Sequence, residues 1–274
     1  MALVEIIRLE ALFILALLFP LVVQLVVLYL ASRALWTFSG RTFGRGVWLA
    51  LALAGVPLHE LSHAIAFWLT GAGVRRIVLF APRGLPEYGG ATGVVVPARK
   101  PSGFSKLVAS IAPFFGCSFA AWATLALLLP GFSPGNGSAV GPNALDAGGL
   151  GQAALGVLGA YLAGLADAFA GLDWGSWQTY LAVYLGASLG MGAAPSAEDF
   201  KRFFPALAGL LVILLPVFAV IQLAADPGSA LAAARTAAGV VLVPIGAALS
   251  YATVFAVVVL LVLVVLMPFR RLVR

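Results

Sequence analysis

The chain has 274 residues, 62% of them hydrophobic and only 9% charged, against roughly a quarter charged in an ordinary soluble domain, so a water-solvated globular domain is excluded. Its net charge of +6 comes from basic residues scattered through the gaps between apolar runs. They form no continuous patch, and no nucleic-acid partner is expected. The single cysteine, Cys117, lies in an apolar run, which leaves no intrachain disulfide and no cysteine cluster for a metal.

Apolar runs occupy 11–32, 47–70, 107–130, 150–171, 177–195, 203–225 and 236–268. A helix needs about 20 apolar residues to cross a hydrocarbon core about 30 Å thick. The lipid bilayer is therefore the expected surroundings of the chain. The first run exceeds a signal-peptide core, follows Glu5, Arg8 and Glu10, and reads as a retained helix. Between the second and third runs, Arg75–Pro82 (RRIVLFAP) and Ala91–Ala98 (ATGVVVPA) are rich in β-branched residues, and Gly84, Pro86, Gly89 and Gly90 punctuate them. This predicts a β-hairpin over 75–98. The Gly/Ser/Pro-rich stretch 131–149 predicts a loop.

Orientation follows from Lys and Arg. Arg75, Arg76, Arg83, Arg99, Lys100 and Lys106 lie in the hairpin and just after it, Lys201 and Arg202 follow a later helix, and Arg270, Arg271 and Arg274 end the chain. All belong on the cytoplasmic side. Arg8 agrees with this placement, and Arg33, Arg41, Arg45 and Arg235 depart from it. The parity requires one of the seven runs not to cross, and 150–171, interrupted by Asp167, is the expected exception. The fold expected is an all-α polytopic membrane protein of about six transmembrane helices, one domain over 1–274. It comprises a first helix at 11–32, a core at 47–202 that includes the hairpin, and C-terminal helices over 203–268.

Within the second run stands Pro57-Leu58-His59-Glu60-Leu61-Ser62-His63-Ala64, an HExxH sequence. On a helix, His59 and His63 share a face and can point at one ion, and Glu60 can reach a water on it. A catalytic zinc takes such ligands and keeps one position open. Packing of two histidines in a bundle is the plain alternative. Against it, these are the chain's two histidines, and Glu60 interrupts an apolar segment at a cost of roughly 2.5–3.5 kcal/mol. A third ligand must be a carboxylate, with Asp199, Asp167 and Glu198 the candidates. Pro195 would break the fifth run and turn the carboxylate inward.

These residues resemble the site-2 protease family of intramembrane zinc metalloproteases. In that family an HExxH on one membrane helix is completed by an aspartate from an Asn-x-x-Pro-x-x-x-x-Asp-Gly motif on a later helix. The resemblance implies His59, His63 and Asp199 as Zn2+ ligands and Glu60 as the general base. In this chain Gly192 stands where the family has asparagine and Phe200 where it has glycine, and Pro195-Ser196-Ala197-Glu198-Asp199 is similar to a Pro-Ser-x-x-Asp form of divergent relatives. The 75–98 segment is similar to the family's hairpin, which would hold a substrate by strand addition at Val94–Val96 or plug the site. The function so implied is hydrolysis of peptide bonds in or near the transmembrane segments of membrane-protein substrates, at a multi-pass protein of the cell membrane with its active site toward the cytoplasm. The competing class is a non-proteolytic metal-binding scaffold or a transporter. Gly186 and Gly190 predict close helix packing.

Overall fold

The computed structural model of the protein describes residues 28–35, 44–129 and 170–194, with 26, 167, 196, 198, 199, 201, 205, 208, 209, 212, 216, 264, 265 and 268 as single positions. Most of the runs 11–32, 150–171, 203–225 and 236–268, the loop 131–149 and Pro195 lie outside these residues, and so does the count of about six crossing helices. Among the described residues the order is α1 (Arg45–Ala52), α2 (Gly55–Leu69), β1 (Val74–Val78), β2 (Val94–Pro97), α3 (Gly103–Leu128) and α4 (Trp177–Ala193). Residues 28–35 are also helical.

The run 47–70, read from sequence as one helix, is two, bent by 48° between α1 and α2. Pro57 accounts for the break: its ring clashes with the carbonyl of Leu53, four residues earlier, and it donates no hydrogen bond there. The amide groups freed at the break still need acceptors. Ser188 on α4 supplies one, its Oγ accepting from Ala54 N at 3.2 Å and Gly55 N at 3.0 Å.

Helices α2, α3 and α4 pack against one another. The approach of α2 to α4 is set by small residues, since a Cβ on Gly55 would overlap the Ser188 carbonyl and one on Gly192 would overlap the backbone of Gly55. Gly186 and Gly190 are buried on α4, but the pair facing Gly55 is Ser188 and Gly192. One core cluster joins Leu28, Phe114, Cys117, Ala193 and Ala194, with Leu58 against it. A second, of Ala66, Phe67, Ala72 and Ala109, takes in Val74 and Val95 and ties the hairpin to α2 and α3.

The strands pair antiparallel, Arg76 with Val96, Ile77 with Val95 and Val78 with Val94, and an irregularity between Val74 and Arg76 bends β1. Backbone bonds from Ala81 N to Thr92 O and from Arg99 N to Ala72 O continue the pairing past both ends, so the hairpin fills the predicted 75–98. A short 3-10 turn, Pro86–Tyr88, forms its tip. Gly84 enters that turn at φ +75°, with its Cβ position against the Gly90 carbonyl, a conformation open to glycine and strained for other residues.

Helix α3 starts on Ser102, whose side chain accepts from Ser105 N, and it contains Pro113. Among the described residues it is the helix long and apolar enough to cross a membrane, and α1 with α2 together has the length and composition of a broken span or a re-entrant loop.

Candidate metal centre

His59 and His63 stand one turn apart on α2, their rings edge to face with centroids 4.7 Å apart. Each ring is anchored by its Nδ1 to a backbone carbonyl of a different helix: His59 to Gly192 O of α4 at 2.6 Å, and His63 to Ala109 O of α3 at 2.8 Å. A carbonyl can only accept, so both Nδ1 atoms carry the proton and a neutral ring presents a lone pair at Nε2. Such outer hydrogen bonds fix the tautomer and ring orientation of metal-binding histidines.

The two Nε2 atoms lie 3.1 Å apart. Asp199 closes the triangle, with Oδ2 at 3.6 Å from His59 Nε2 and Oδ1 at 3.7 Å from His63 Nε2. Three electron-pair donors thus converge, one of them an anion that is 4% exposed. In tetrahedral zinc sites with bonds of about 2.0–2.2 Å, ligand atoms are about 3.3–3.6 Å apart; here one ligand atom from each of the three residues lies within 4.8 Å of the others, and the closest approaches to the two imidazoles are made by different oxygens of Asp199. Among the described residues, His59, His63 and Asp199 are the group of His, Cys, Asp or Glu that could hold a metal ion. Two imidazoles and one carboxylate suit zinc in donor type.

Asp199 is held by the backbone turn that precedes it. Ser196 N donates to Asp199 Oδ2 at 3.0 Å, Ser196 Oγ donates to the same oxygen at 2.6 Å, and Asp199 N donates to Ser196 Oγ at 3.2 Å. This reciprocal pair, with Ser at the cap and an acid three residues on, is a capping box. Ala194 ends α4 in an extended conformation, as the residue before a proline must. The other carboxylates read from sequence stand elsewhere: Glu198 pairs with Lys201 at 3.5 Å in an exposed position, and Asp167 is exposed.

Glu60 follows His59 on α2 and is half-buried. The hairpin packs on it at Gly93, where an added Cβ would lie 2.5 Å from Glu60 Cγ and 2.9 Å from Oε1. Three contributors to the centre are not legible in the sequence as such: Gly192, which stands where the family has asparagine, and Ala109 and Gly93, which act through backbone and space. Ser196 belongs to the Pro-Ser-x-x-Asp form read from sequence, and the structure adds its hydrogen bonds to Asp199.

Residues 14–133 match the model of the Peptidase M50B-like family. This agrees with the resemblance to site-2 proteases. The M50B-like segment covers less than half of the chain and carries His59, Glu60, His63, the hairpin and α3. It ends before Asp199, whose place beside the histidines rests on the geometry above. No curated protein and no solved structure matches the chain.

Proposed function

We propose that the protein is an intramembrane zinc metalloprotease that cuts peptide bonds in or near the transmembrane segments of membrane-protein substrates. The observation that carries the reading is the convergence of His59 Nε2, His63 Nε2 and the Asp199 carboxylate beside Glu60. The peptidase family match over the HExxH helix supports the reaction class. Zinc, when bound by these three residues, supplies Lewis-acid polarisation at the reacting carbonyl and water.

The chain's own residues do the rest. Glu60 takes a proton from the attacking water as its oxygen bonds to the carbonyl carbon, then delivers that proton to the amine nitrogen as the C–N bond breaks. Gly192 and Ala109 keep both imidazoles aimed through the cycle. A substrate helix has its carbonyls locked in i to i−4 bonds, so it must be extended before it can be cut. The edge of β2 away from β1, at Val94–Val96, pairs with no further strand among the described residues and offers backbone partners to an extended segment. Outward-facing Phe119 and Leu127 on α3, 67% and 81% exposed, suit a lipid-facing surface. The basic residues of the hairpin and its flanks support a cytoplasmic-side placement of the centre.

The test is cleavage of a reconstituted single-span substrate library in proteoliposomes. Wild type should yield fragments cut within or beside the span, and Glu60→Gln should yield none while retaining zinc. Fragments that persist at the wild-type rate with Glu60→Gln would remove Glu60 from the mechanism.

A further inference from the structure

We propose that Pro113 is a positioning residue of the metal centre: by lacking an N–H it leaves the Ala109 carbonyl open for His63. The inference rests on the reading of His63 as a metal ligand.

Inside an α-helix the carbonyl of residue i accepts from the N–H of residue i+4. For Ala109 that donor would come from position 113, and position 113 is a proline, buried within α3. The Ala109 carbonyl therefore has no helical donor, and the ring of Pro113 crowds it away from the helix axis. In an apolar interior such a freed carbonyl must find another donor. It finds the Nδ1–H of His63 at 2.8 Å.

His59 meets the same condition by another route. Its acceptor, Gly192 O, is one of the last four carbonyls of α4, which have no intrahelical donors. Ser196 N, four residues on, bonds to Asp199 instead. Both histidines are thus oriented by carbonyls that their helices leave open, one through a proline and one through a helix end.

A carbonyl already engaged along the helix would hold the imidazole less firmly and at a different angle, and loss of such an outer partner typically weakens metal binding about 10–100-fold. The experiment measures the zinc dissociation constant of the full-length protein in detergent, by chelator competition, for wild type, Pro113→Ala, and a variant whose amide at position 113 is replaced by an ester. The ester carries the alanine side chain and no N–H. The expected result is zinc binding weakened at least tenfold by Pro113→Ala, with thermal stability of the metal-free protein equal to or above wild type, and binding by the ester variant within threefold of wild type. Zinc binding by Pro113→Ala within threefold of wild type would overturn the proposal. So would an ester variant as weak as Pro113→Ala, since the proline ring and not the missing donor would then matter. Wild type that binds no zinc, or His63→Ala that binds it as well as wild type, would instead remove the reading of His63 as a ligand.

Discussion

The carboxylate of Asp199 is set by a single serine. Ser196 holds it from its backbone N and its hydroxyl, so Ser196→Ala removes a helix cap, at about 1 kcal/mol of stability, and also frees the carboxylate to rotate. We expect zinc affinity to fall about tenfold, read by chelator competition, whereas Glu198→Ala, which breaks an exposed pair with Lys201, leaves it unchanged. At Gly93 the expectation is different in kind. A Cβ there meets the flexible Glu60 side chain and not backbone, so Gly93→Ala lets the fold stand and swings the carboxylate aside. Zinc content and melting temperature stay at wild-type values while kcat falls about 100-fold, the usual scale for a reacting group displaced by about 1 Å. Unaltered kcat, or lost zinc, would contradict this. Residues of this sort are poorly legible in a sequence. His59, Glu60 and His63 announce themselves because titratable side chains are scarce in apolar runs, but Ala109 and Gly192 contribute carbonyls that every residue has, and only the fold shows which ones are open.

At the scale of elements, the break between α1 and α2 and its cap on α4 fix the direction of the HExxH helix. Ser188→Ala leaves the Ala54 and Gly55 amides without their common acceptor, and a buried donor so orphaned costs about 1–3 kcal/mol. Thermal unfolding should show that loss, and a variant as stable as wild type would mean that the amides find other acceptors. Gly55→Val has no room at all, since the obstacle is the α4 backbone; it should abolish the α2–α4 approach and with it zinc binding. Gly46→Ala on α1 faces open space and should change neither. The hairpin was legible because β-branched strands and a Gly/Pro tip are local signals, and its hydrogen bonds run to the boundaries read from sequence. The bend at 53–54 was missed because apolar composition continues through it. Pro57 carried the signal, four residues downstream of the carbonyl it displaces.

For the whole molecule, composition made the membrane reading accessible, since an amino-acid content this poor in charge has few other solvents. The proposed orientation rests on lysine and arginine, so reporter fusions at 71–106 should read as cytoplasmic and fusions at 131–149 as external; the reverse pattern would turn the molecule over. The third ligand was the weak point of the sequence reading. Pro195 and the family resemblance favour Asp199 over Asp167 and Glu198, but contact between segments 136 or more residues apart in the chain is invisible to periodicity. The structure brings Asp199 to the two histidines, and this makes the metal content of that cluster the most direct test of the account. Zinc should be measured in detergent-purified wild type beside His59→Ala, Asp167→Ala, Glu198→Ala and Asp199→Ala. About one zinc per chain is expected, as a mononuclear site requires, lost with His59→Ala and Asp199→Ala and retained with the other two. Wild type that takes up no zinc when supplied with it, or full zinc in Asp199→Ala, would contradict it.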